Sequence, residues 1–476
     1  MAANAIKALL SRIEIGDMPW LDELMRRSAY GEAWHRLEPR ELAKWVGPGE
    51  PGVLLLQLSS MHANGFVREE AVRRLSLLHD GSELPYLLLR LNDWVTQVRQ
   101  LAHGAILERI TDEYAGRFVR SLTLIIRLQR ARRSDQREVL ERITQLLTGS
   151  ASRSSMLGAM MTSPKDVRRA SFHILTADAS QDLRQILASA LEAEDPVVRL
   201  WAARSASSGL DRQQLRTVLV ALSRDPYPPV RQEALKTWAT SFPGEATDIL
   251  QAALLDRSAS VRAEARLRLG EKDGLDFRQF YLKAMVSTRA ARLVVGIAGL
   301  AETRVPEDAK VLVPYLSHAL ASVRRTVVRY LLRLGGDDYV DPAFDRVLDV
   351  SAGVSNQASR MVQRYASRIG ASRLWLLFSG SRVTHVRRNL LGLLAALPKW
   401  ESITYLVRAT CDADDSIAVL ARSCVARWNS QYNRSQVAPS GEQLAYLESA
   451  FSSGETNLPP QVVASIRFAI HSFSKG

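Results

Sequence analysis

Cysteine is scarce in this chain of 476 residues, which contains only Cys411 and Cys424. Two cysteines cannot supply a disulfide framework for so long a chain, and they exclude a zinc site built from cysteines alone. Each is interpreted as a buried free thiol. Strand signals are scarce too, because no stretch sustains an alternation of apolar and polar residues, and Leu, Ala and Arg dominate. The composition predicts an all-α protein.

Long apolar runs are absent as well. No stretch approaches the roughly 18 uncharged apolar residues that a membrane-spanning helix requires. Residues 1–14 mix charged with apolar residues and lack a small-residue cleavage site, so they are typical of an amphipathic helix and not of a secretory signal. These absences predict a soluble, cytoplasmic protein that does not act at a membrane.

The sequence also lacks the motifs of familiar enzyme classes. It has no Gly-x-x-x-x-Gly-Lys-Ser/Thr phosphate loop, no Gly-x-Ser-x-Gly nucleophile elbow and no His-Glu-x-x-His metal helix. Its eight histidines are scattered without the spacing of metal ligands. We therefore expect no catalytic residue, no metal, no cofactor and no small-molecule substrate, and we predict that the protein is not an enzyme.

What the sequence does contain is a repeat. Its clearest copies begin at Asp195, Asp225 and Asp256, and each places Val-Arg a few residues later, with Ala three positions after the Arg. The period is about 31 residues, and a period of this size with two helix-length apolar segments predicts an α-solenoid. The recurring arginines are Arg68, Arg99, Arg168, Arg199, Arg231, Arg262, Arg292, Arg324, Arg360 and Arg387.

The start of each repeat has the chemistry of a helix N-terminus. An Asp carboxylate accepts hydrogen bonds from the unpaired N–H groups of a first helical turn, and the Pro196 that follows Asp195 suits the first helical position. Val198 and Ala202 are four residues apart and share one helix face. The pattern predicts a helix that begins at each Asp and buries its Val and Ala against a closely packed neighbour.

This Asp…Val-Arg…Ala pattern resembles the HEAT-repeat family in its short form, the HEAT-like repeats named from phycobilisome lyases. The resemblance implies a right-handed α-solenoid of about twelve helix pairs with helical caps. HEAT repeats usually span roughly 40–47 residues, so the shorter period here leaves armadillo-like repeats as an alternative.

The resemblance also implies a hydrogen-bonded ladder of Asp and Arg along successive repeats. The residues that match the ladder by position are Asp93, Arg99, Asp195, Arg199, Asp225, Arg231, Asp256 and Arg262. Five other recurring arginines have no Asp four to six residues before them, and the ladder is not carried over to these: Arg68, Arg292, Arg324, Arg360 and Arg387.

Three parts are predicted along the chain: an N-terminal helical cap (1–52), the repeat solenoid (53–430) and a C-terminal helical cap (431–476). Trp20, Trp34 and Trp45 fall in the first part, where large aromatic side chains would cover the open end of a solenoid. A partner-binding patch is the alternative interpretation of these tryptophans. Residues 148–155 have turn composition and are interpreted as a loop or boundary.

The chain is basic, with a formal charge of +13 at pH 7, and only nine of its cations are lysines. Such a balance favours an acidic partner, nucleic acid first, although paired ladder arginines and a solvated surface account for part of it. The densest basic cluster lies between Arg117 and Arg142, and a weaker basic stripe is expected along the second helices. The candidate binding residues are Arg127, Arg130, Arg132, Arg133, Arg137, Arg169, Arg204, Lys236, Arg325, Arg329 and Arg388.

In HEAT-type proteins the second helix of each repeat lines a concave surface that binds the partner, and the resemblance implies the same here. The leading prediction is a non-catalytic scaffold that binds another protein, in a bacterial-type assembly. The alternative is a sequence-nonspecific DNA- or RNA-binding solenoid that uses the Arg-rich surfaces. A third hypothesis is an enzyme similar to the alkylpurine DNA glycosylases, although no motif of theirs carries over to a particular residue.

Overall fold

The computed structural model describes residues 13–27, 34–45, 50–130, 136–177, 183–270, 275–432, 437–454 and 457–474. Across these ranges the regular structure consists of α-helices and short 3-10 turns, and no strand occurs. The predicted all-α class is therefore confirmed. The chain divides into two compact units, unit 1 before Pro243 and unit 2 from Pro243 onward.

Unit 1 is a series of helix pairs that follow an N-terminal segment. Its helices are α1 (Met18–Arg27), α2 (Pro39–Trp45), α3 (Glu50–Ser59), α4 (Gly65–Leu75), α5 (Leu84–Arg90), α6 (Thr96–Glu108), α7 (Ala115–Arg120), α8 (Leu122–Leu128), α9 (Arg137–Thr148), α10 (Ser150–Thr162), α11 (Lys165–Ala177), α12 (Leu183–Leu191), α13 (Pro196–Gly209), α14 (Arg212–Leu222) and α15 (Pro228–Ser241). Neighbours such as α3 and α4, or α12 and α13, pack as pairs, and the second helices α4 and α6, or α13 and α15, pack on each other.

Unit 2 is built in the same way. Its helices are α16 (Ala246–Ala253), α17 (Ala259–Gly270), α18 (Phe277–Met285), α19 (Ala290–Glu302), α20 (Ala309–Leu312), α21 (Ala321–Gly335), α22 (Val340–Phe344), α23 (Ala352–Val362), α24 (Ala366–Ile369), α25 (Ala371–Gly380), α26 (Thr384–Leu394), α27 (Lys399–Ala409), α28 (Asp415–Ser430), α29 (Gly441–Gly454) and α30 (Pro460–Ser474). The second helices α19, α21, α23, α26 and α28 pack on one another in turn. Each unit is thus a stack of helix pairs, which is the construction of an α-solenoid. The predicted number of about twelve helix pairs agrees with the helices in the described ranges. The handedness of the stacking stays a prediction.

The predicted chemistry of the repeat start is present in α13. The Asp195 carboxylate accepts a hydrogen bond from the Val197 backbone N–H at 2.8 Å, and Pro196 occupies the first turn. Val198 and Ala202 are both fully buried. At Asp225 the carboxylate also accepts from the N–H two residues later, but α15 begins only at Pro228, because a short Asx-type turn precedes the helix.

The interpretation of residues 148–155 as a loop is wrong. Gly149 alone separates α9 from α10, which begins at Ser150. Ser152 is fully buried, and its hydroxyl donates to the Leu146 carbonyl at 2.8 Å, while Met156 anchors the same helix in the core. The small polar residues form a helix because this apolar contact, which their composition does not reveal, holds them there.

The division into a cap, a solenoid and a second cap stays a prediction. Helix α3 begins at Glu50, before the predicted end of the first cap, while α28 ends at Ser430, at the predicted start of the second. Among the helices in the described ranges, none has the length and apolar character needed to cross a bilayer.

Candidate functional site

A row of arginine–aspartate ion pairs links successive helix pairs. In the first of them the Arg68 guanidinium binds the Asp93 carboxylate through two hydrogen bonds, of 3.0 Å from Nε and 2.8 Å from Nη2. Each Asp lies 25 or 26 residues after its Arg, so the bond runs from one repeat to the next. The pairs with this geometry are Arg68–Asp93, Arg199–Asp225, Arg324–Asp349 and Arg387–Asp412.

The pairs of Arg68, Arg199 and Arg324 also fix two turns, as Arg324 illustrates. Its Nη1 donates to the carbonyls of His318 and Ala319, at 2.8 and 2.9 Å, in the turn before its own helix. Its partner Asp349 accepts from the Ser351 N–H at 2.8 Å and so fixes the turn before the next second helix. A charged group that satisfies several backbone groups at once contributes more than a simple surface ion pair. The same donation to preceding carbonyls occurs at Arg68, Arg99, Arg199 and Arg231.

The ladder shifts by one residue between α11 and α13. Asp195 is bound by Arg169, through hydrogen bonds of 2.9 and 3.3 Å, and not by Arg168. Arg168 instead contacts Glu194 at 2.9 Å. Arg169 was a sequence candidate for partner binding, but its guanidinium is engaged in the ladder, because Arg169 and not Arg168 faces Asp195 across the repeat junction.

Other junctions depart further from the pattern. Arg262 binds Glu302, 40 residues later at the end of α19, and shares this carboxylate with Arg266. Its own Asp256 caps the turn before α17 by accepting from the Ser258 N–H at 2.7 Å. Arg292 and Arg360 are exposed, and neither forms an ion pair with a described residue.

The N-terminal segment of unit 1 docks onto the first ladder pair. Asp93 is fully buried and receives hydrogen bonds from Arg26 of α1 at 3.1 Å and from Arg90 at 2.8 Å, in addition to those from Arg68. Asp22, one turn before Arg26, contacts the other end of the buried Arg90 guanidinium at 2.6 Å. Three arginines and two aspartates thus form one network, which is buried at Arg68, Arg90 and Asp93 and half-buried at Asp22 and Arg26.

A second contact of the N-terminal segment lies at His62. This ring is buried, and its Nδ1 accepts a hydrogen bond from the Asn64 N–H at 2.9 Å, which leaves the proton on Nε2 for donation to the Trp34 carbonyl at 2.8 Å. The Trp34 and His62 rings pack edge to face, with 4.8 Å between their centres. Between α1, α5 and α8 remains a cavity of about 180 Å³, lined by Arg26, Arg90, Asp93, Trp94 and Arg127 among others.

The sequence-predicted basic residues are distributed over both units. In unit 1, Arg204 of α13 and Lys236 of α15 lie on either side of Glu233, at 3.6 and 3.5 Å from its carboxylate oxygens. In unit 2, Arg325 and Arg388 are exposed on α21 and α26, and Arg329 is half-buried on α21. Among the candidates that lie in the described ranges, the structure brings Arg204 and Lys236 together around a shared group.

The cluster around residues 127–137 is only partly described. Arg127 and Arg130 are exposed at the end of α8, and no described acidic side chain lies within ion-pair distance of either. Arg137 begins α9 and is exposed. Arg132 and Arg133 lie outside the described residues.

Comparison with known families identifies the repeat. The sequence model described as HEAT repeats matches residues 154–237, which include the ladder pairs at Asp195 and Asp225. Residues 154–237 are HEAT repeats. The match is to HEAT repeats in general, and the phycobilisome-lyase subtype stays a prediction.

A search of curated proteins finds no match. Among solved structures, importin beta in an ammonium sulfate condition is similar at 11% identity and a TM-score of 0.43, over 91% of this chain and 69% of that one. The Kap95:Nup1 complex is similar at 13% identity and a TM-score of 0.39, over 98% of this chain and 67% of that one. Kap121p is similar at 12% identity and a TM-score of 0.32, over 92% of this chain and 56% of that one. These TM-scores are too low to transfer any partner to the present chain.

Three aspartates of the ladder, Asp93, Asp195 and Asp349, have lowered pKa values. Burial alone would raise the pKa of Asp93, but the hydrogen bond from Arg68 and the charges of Arg90 and Arg68 outweigh it and hold the pKa below its usual range. At Asp349, burial is again opposed and outweighed, here by Arg324 and the Ser351 N–H, so that its pKa is also lowered. Asp195 behaves in the same way, with Arg169 as the main opposing partner. The charged form of these side chains therefore stabilises the folded chain.

This shift predicts a loss of stability in acid. A carboxylate with a lowered folded pKa contributes its full stability above the unfolded pKa of about 3.9 and loses it as the pH falls towards the folded value. The free energy of unfolding of the natural chain should therefore exceed that of an Asp349→Asn variant by a constant amount between about pH 7 and pH 5, and the difference should shrink below about pH 4. Urea denaturation across this range measures it. A difference that persists unchanged in acid would contradict the prediction.

Two features were not predicted from the sequence. In unit 2 the Lys399 ammonium lies 3.9 Å from the centre of the Tyr432 ring and 4.9 Å from that of Trp400, and it donates to the Tyr432 carbonyl at 2.8 Å. Burial lowers the pKa of Lys399. Large apolar side chains are also exposed where second helices begin, and these are Phe66, Trp94, Leu320, Val350 and Val383.

Proposed function

We propose that this protein is a non-catalytic scaffold whose stacked HEAT repeats bind another protein along their concave surface. The observation that carries the proposal is the mixed charge of the second helices in unit 1. Glu233 lies between Arg204 and Lys236, and on α4 Arg73 and Arg74 each pair with a glutamate four residues earlier, at 2.8 and 2.7 Å. Basic side chains on these helices thus share the surface with acids.

A surface of interspersed charge suits a protein partner better than a phosphate backbone. Nucleic-acid binding depends on cations that release counterions from phosphates, and a carboxylate between two cations opposes this release. Protein partners present charges of both signs, and complementary patterns set specificity and the rate of association. The charge pattern therefore supports protein binding along the second helices.

The test is capture of a partner with a matched pair of charge-reversed variants. Three proteins are immobilised and exposed to nuclease-treated extract of the source cell. They are the natural chain, an Arg204→Glu/Lys236→Glu variant and, as the control, an Arg184→Glu/Arg224→Glu variant. Arg184 and Arg224 are exposed but lie on α12 and in a turn, so the control makes the same change of charge away from the second helices. A specific protein should be retained by the natural chain and the control, with affinity about tenfold or more weaker for the first variant. Equal retention by all three would sink the proposal.

Nucleic-acid binding is the second candidate function, and one observation favours it. Arg127 and Arg130 are exposed at the end of α8, without a described acidic partner. Two adjacent uncompensated arginines can contact phosphates, although they form a small patch compared with the six to ten contacts of a typical nonspecific binder.

A salt titration separates the two functions. Labelled duplex DNA, single-stranded DNA and RNA are mixed with the purified chain at about 50 and 200 mM salt. Six to ten phosphate contacts would cost roughly 10³–10⁵ in affinity over this range. We expect no binding of that steepness, because the basic second-helix residues share carboxylates. Tight binding with a steep salt dependence, weakened by Arg127→Ala/Arg130→Ala, would instead establish the second candidate.

A further inference from the structure

One repeat of unit 2 is a close counterpart of the first ladder repeat in unit 1. Between residues 62–93 and 318–349, residues 256 positions apart are identical at ten sites, and six of these build the ladder turn. These six pairs are His62/His318, Ala63/Ala319, Val67/Val323, Arg68/Arg324, Arg90/Arg346 and Asp93/Asp349.

The two turns also share their hydrogen bonds. His318 Nδ1 accepts from the Leu320 N–H at 3.1 Å, as His62 Nδ1 accepts from the Asn64 N–H at 2.9 Å. In both repeats the arginine that follows donates from Nη1 to the carbonyls of the His and the Ala and binds the next aspartate through two bonds. The same local surface is therefore built twice.

In unit 1 the N-terminal segment covers this surface. The Trp34 carbonyl accepts from His62 Nε2, Arg26 reaches Asp93, and Asp22 contacts Arg90. Asp22 and Arg26 are one helical turn apart on α1, so a single short helix supplies both the carboxylate and the guanidinium.

In unit 2 the corresponding groups surround an open cavity of about 570 Å³. Its lining includes His318, Arg324, Arg346, Asp349 and Val350. Because His318 Nδ1 accepts from the backbone, its Nε2 carries a proton, and no described residue accepts it. Arg346 donates from Nη1 to the Leu316 carbonyl at 3.2 Å and forms no ion pair with a described residue, whereas Arg90 is paired with Asp22 and Asp93. Val350, at the position of Trp94, is 89% exposed.

We propose that this cavity of unit 2 is a docking seat for a helix of another protein, one that presents a carboxylate and a guanidinium four residues apart. The carboxylate pairs with Arg346 as Asp22 pairs with Arg90, and the guanidinium reaches Asp349 as Arg26 reaches Asp93. A backbone carbonyl after the helix accepts the His318 proton. Leu348 and Val350, both exposed, supply the apolar contact.

The occupant is assigned to a foreign helix and not to α1 of a second copy of the chain. In every copy α1 is joined to its own seat, where its effective concentration is far above that of free chains in solution. There it buries Met18 and Leu21 as well as its two charges. The seat includes Arg324 of α21 but neither Arg204 nor Lys236, so this proposal does not depend on a partner being found at those two residues.

The test uses a fluorescent synthetic peptide with the sequence of residues 13–38 as the probe, and the full chain as the receptor. We expect saturable binding of the peptide to the natural chain, and we expect Arg346→Glu to weaken it about tenfold or more. A peptide that carries Asp22→Arg should bind the Arg346→Glu variant with restored affinity, because the charge pair is then reversed on both sides. Val350→Asp should weaken binding to a similar degree without touching the ladder, and Val286→Asp, at a residue 84% exposed elsewhere in unit 2, should leave it unchanged.

Three outcomes would overturn the proposal. The first is the absence of saturable binding to the natural chain. The second is binding that Arg346→Glu and Val350→Asp both leave unaltered, which would place the peptide at the seat in unit 1. The third is self-association of the natural chain in sedimentation, abolished by Val350→Asp, which would make a second copy the occupant. None of these measurements involves Arg204 or Lys236, so failure here is distinguishable from failure of the proposed function.

Discussion

An Asp93→Asn substitution is expected to lower the free energy of unfolding of unit 1 by about 3–5 kcal/mol, the usual cost of removing one partner from a buried ion pair. The carboxylate is fully buried and receives hydrogen bonds from Arg68, Arg90 and Arg26. Asparagine keeps the shape and one acceptor oxygen but removes the negative charge. Only Asp22 would then remain to balance three guanidinium groups. Urea denaturation, with hydrogen exchange at the amides of α4 and α6, measures the loss.

The counterpart aspartate in unit 2 provides the matched comparison. Asp349 is bound by the single arginine Arg324 through hydrogen bonds, so an Asp349→Asn variant should lose less, about 1.5–3 kcal/mol for a charged hydrogen-bonded pair. Asp337→Asn, at a side chain that is 67% exposed, should change stability by no more than about 0.5 kcal/mol. If Asp93→Asn and Asp349→Asn lower the free energy of unfolding equally, the additional arginines around Asp93 do not contribute to the loss, which would contradict this explanation.

An Arg109→Met substitution should cost a similar amount, about 3–5 kcal/mol. Arg109 is fully buried, and its Nε donates to the Glu83 carboxylate at 2.7 Å while its other nitrogens reach carbonyls that include Ala105 and Ser76. Methionine fills much of the volume but leaves the buried Glu83 charge without its counterion. Thermal and urea denaturation of unit 1 measure the effect.

The double variant Glu83→Gln/Arg109→Met distinguishes charge from packing. Once both charges are gone, no buried ion remains uncompensated, and most of the loss caused by Arg109→Met should be recovered. Tyr114 donates to the Glu83 carboxylate at 2.8 Å, and the Gly81 N–H donates at 2.7 Å, and glutamine can still accept one of these. A double variant less stable than the single one would show that the guanidinium's bonds to the backbone dominate.

The repeat and the helices it produces were predictable because their signals are local. The caps at Asp195 and Asp225, and the Val and Ala positions that follow, depend on contacts within a few residues. The helix α10 was missed because its stability comes from burial of Met156 and not from its Ser-rich start. Local chemistry thus determines where helices can begin, and packing determines which other segments become helical.

The bonding of the ladder was less accessible from the sequence. An Asp shortly before each Arg was sought, yet Arg68, Arg324 and Arg387 bind the Asp of the following repeat. A separation of 25 or 26 residues identifies these pairs only when the packing of successive repeats is known. Whether Arg168 or Arg169 binds Asp195 depends on how α11 is rotated about its axis. A repeat alignment that is uncertain by one residue cannot distinguish these two neighbouring arginines.

The docking of the N-terminal segment had no sequence signal. Asp22 and Arg26 lie outside the repeat, and their spacing of four residues is that of an ordinary surface pair on a helix. Their role follows from the buried Arg90 and Asp93 beneath them. An Arg three residues before a ladder Asp, buried at Arg90 and half-buried at Arg346, is the pattern that a sequence search could now use.

The regular spacing of the ladder pairs affects how a repeat protein of this kind can gain further helix pairs. At the junctions that carry the ladder, a helix pair supplies an arginine to the pair that follows it and an aspartate to the pair that precedes it. A copied pair inserted between two others would therefore find both of its junctions already complementary, and the gene could grow by tandem duplication without inventing a new contact. The agreement between residues 62–93 and 318–349 has the form that such copying leaves. Arg262, whose acidic partner Glu302 is 40 residues away, marks a junction where a copied pair would not fit unaltered.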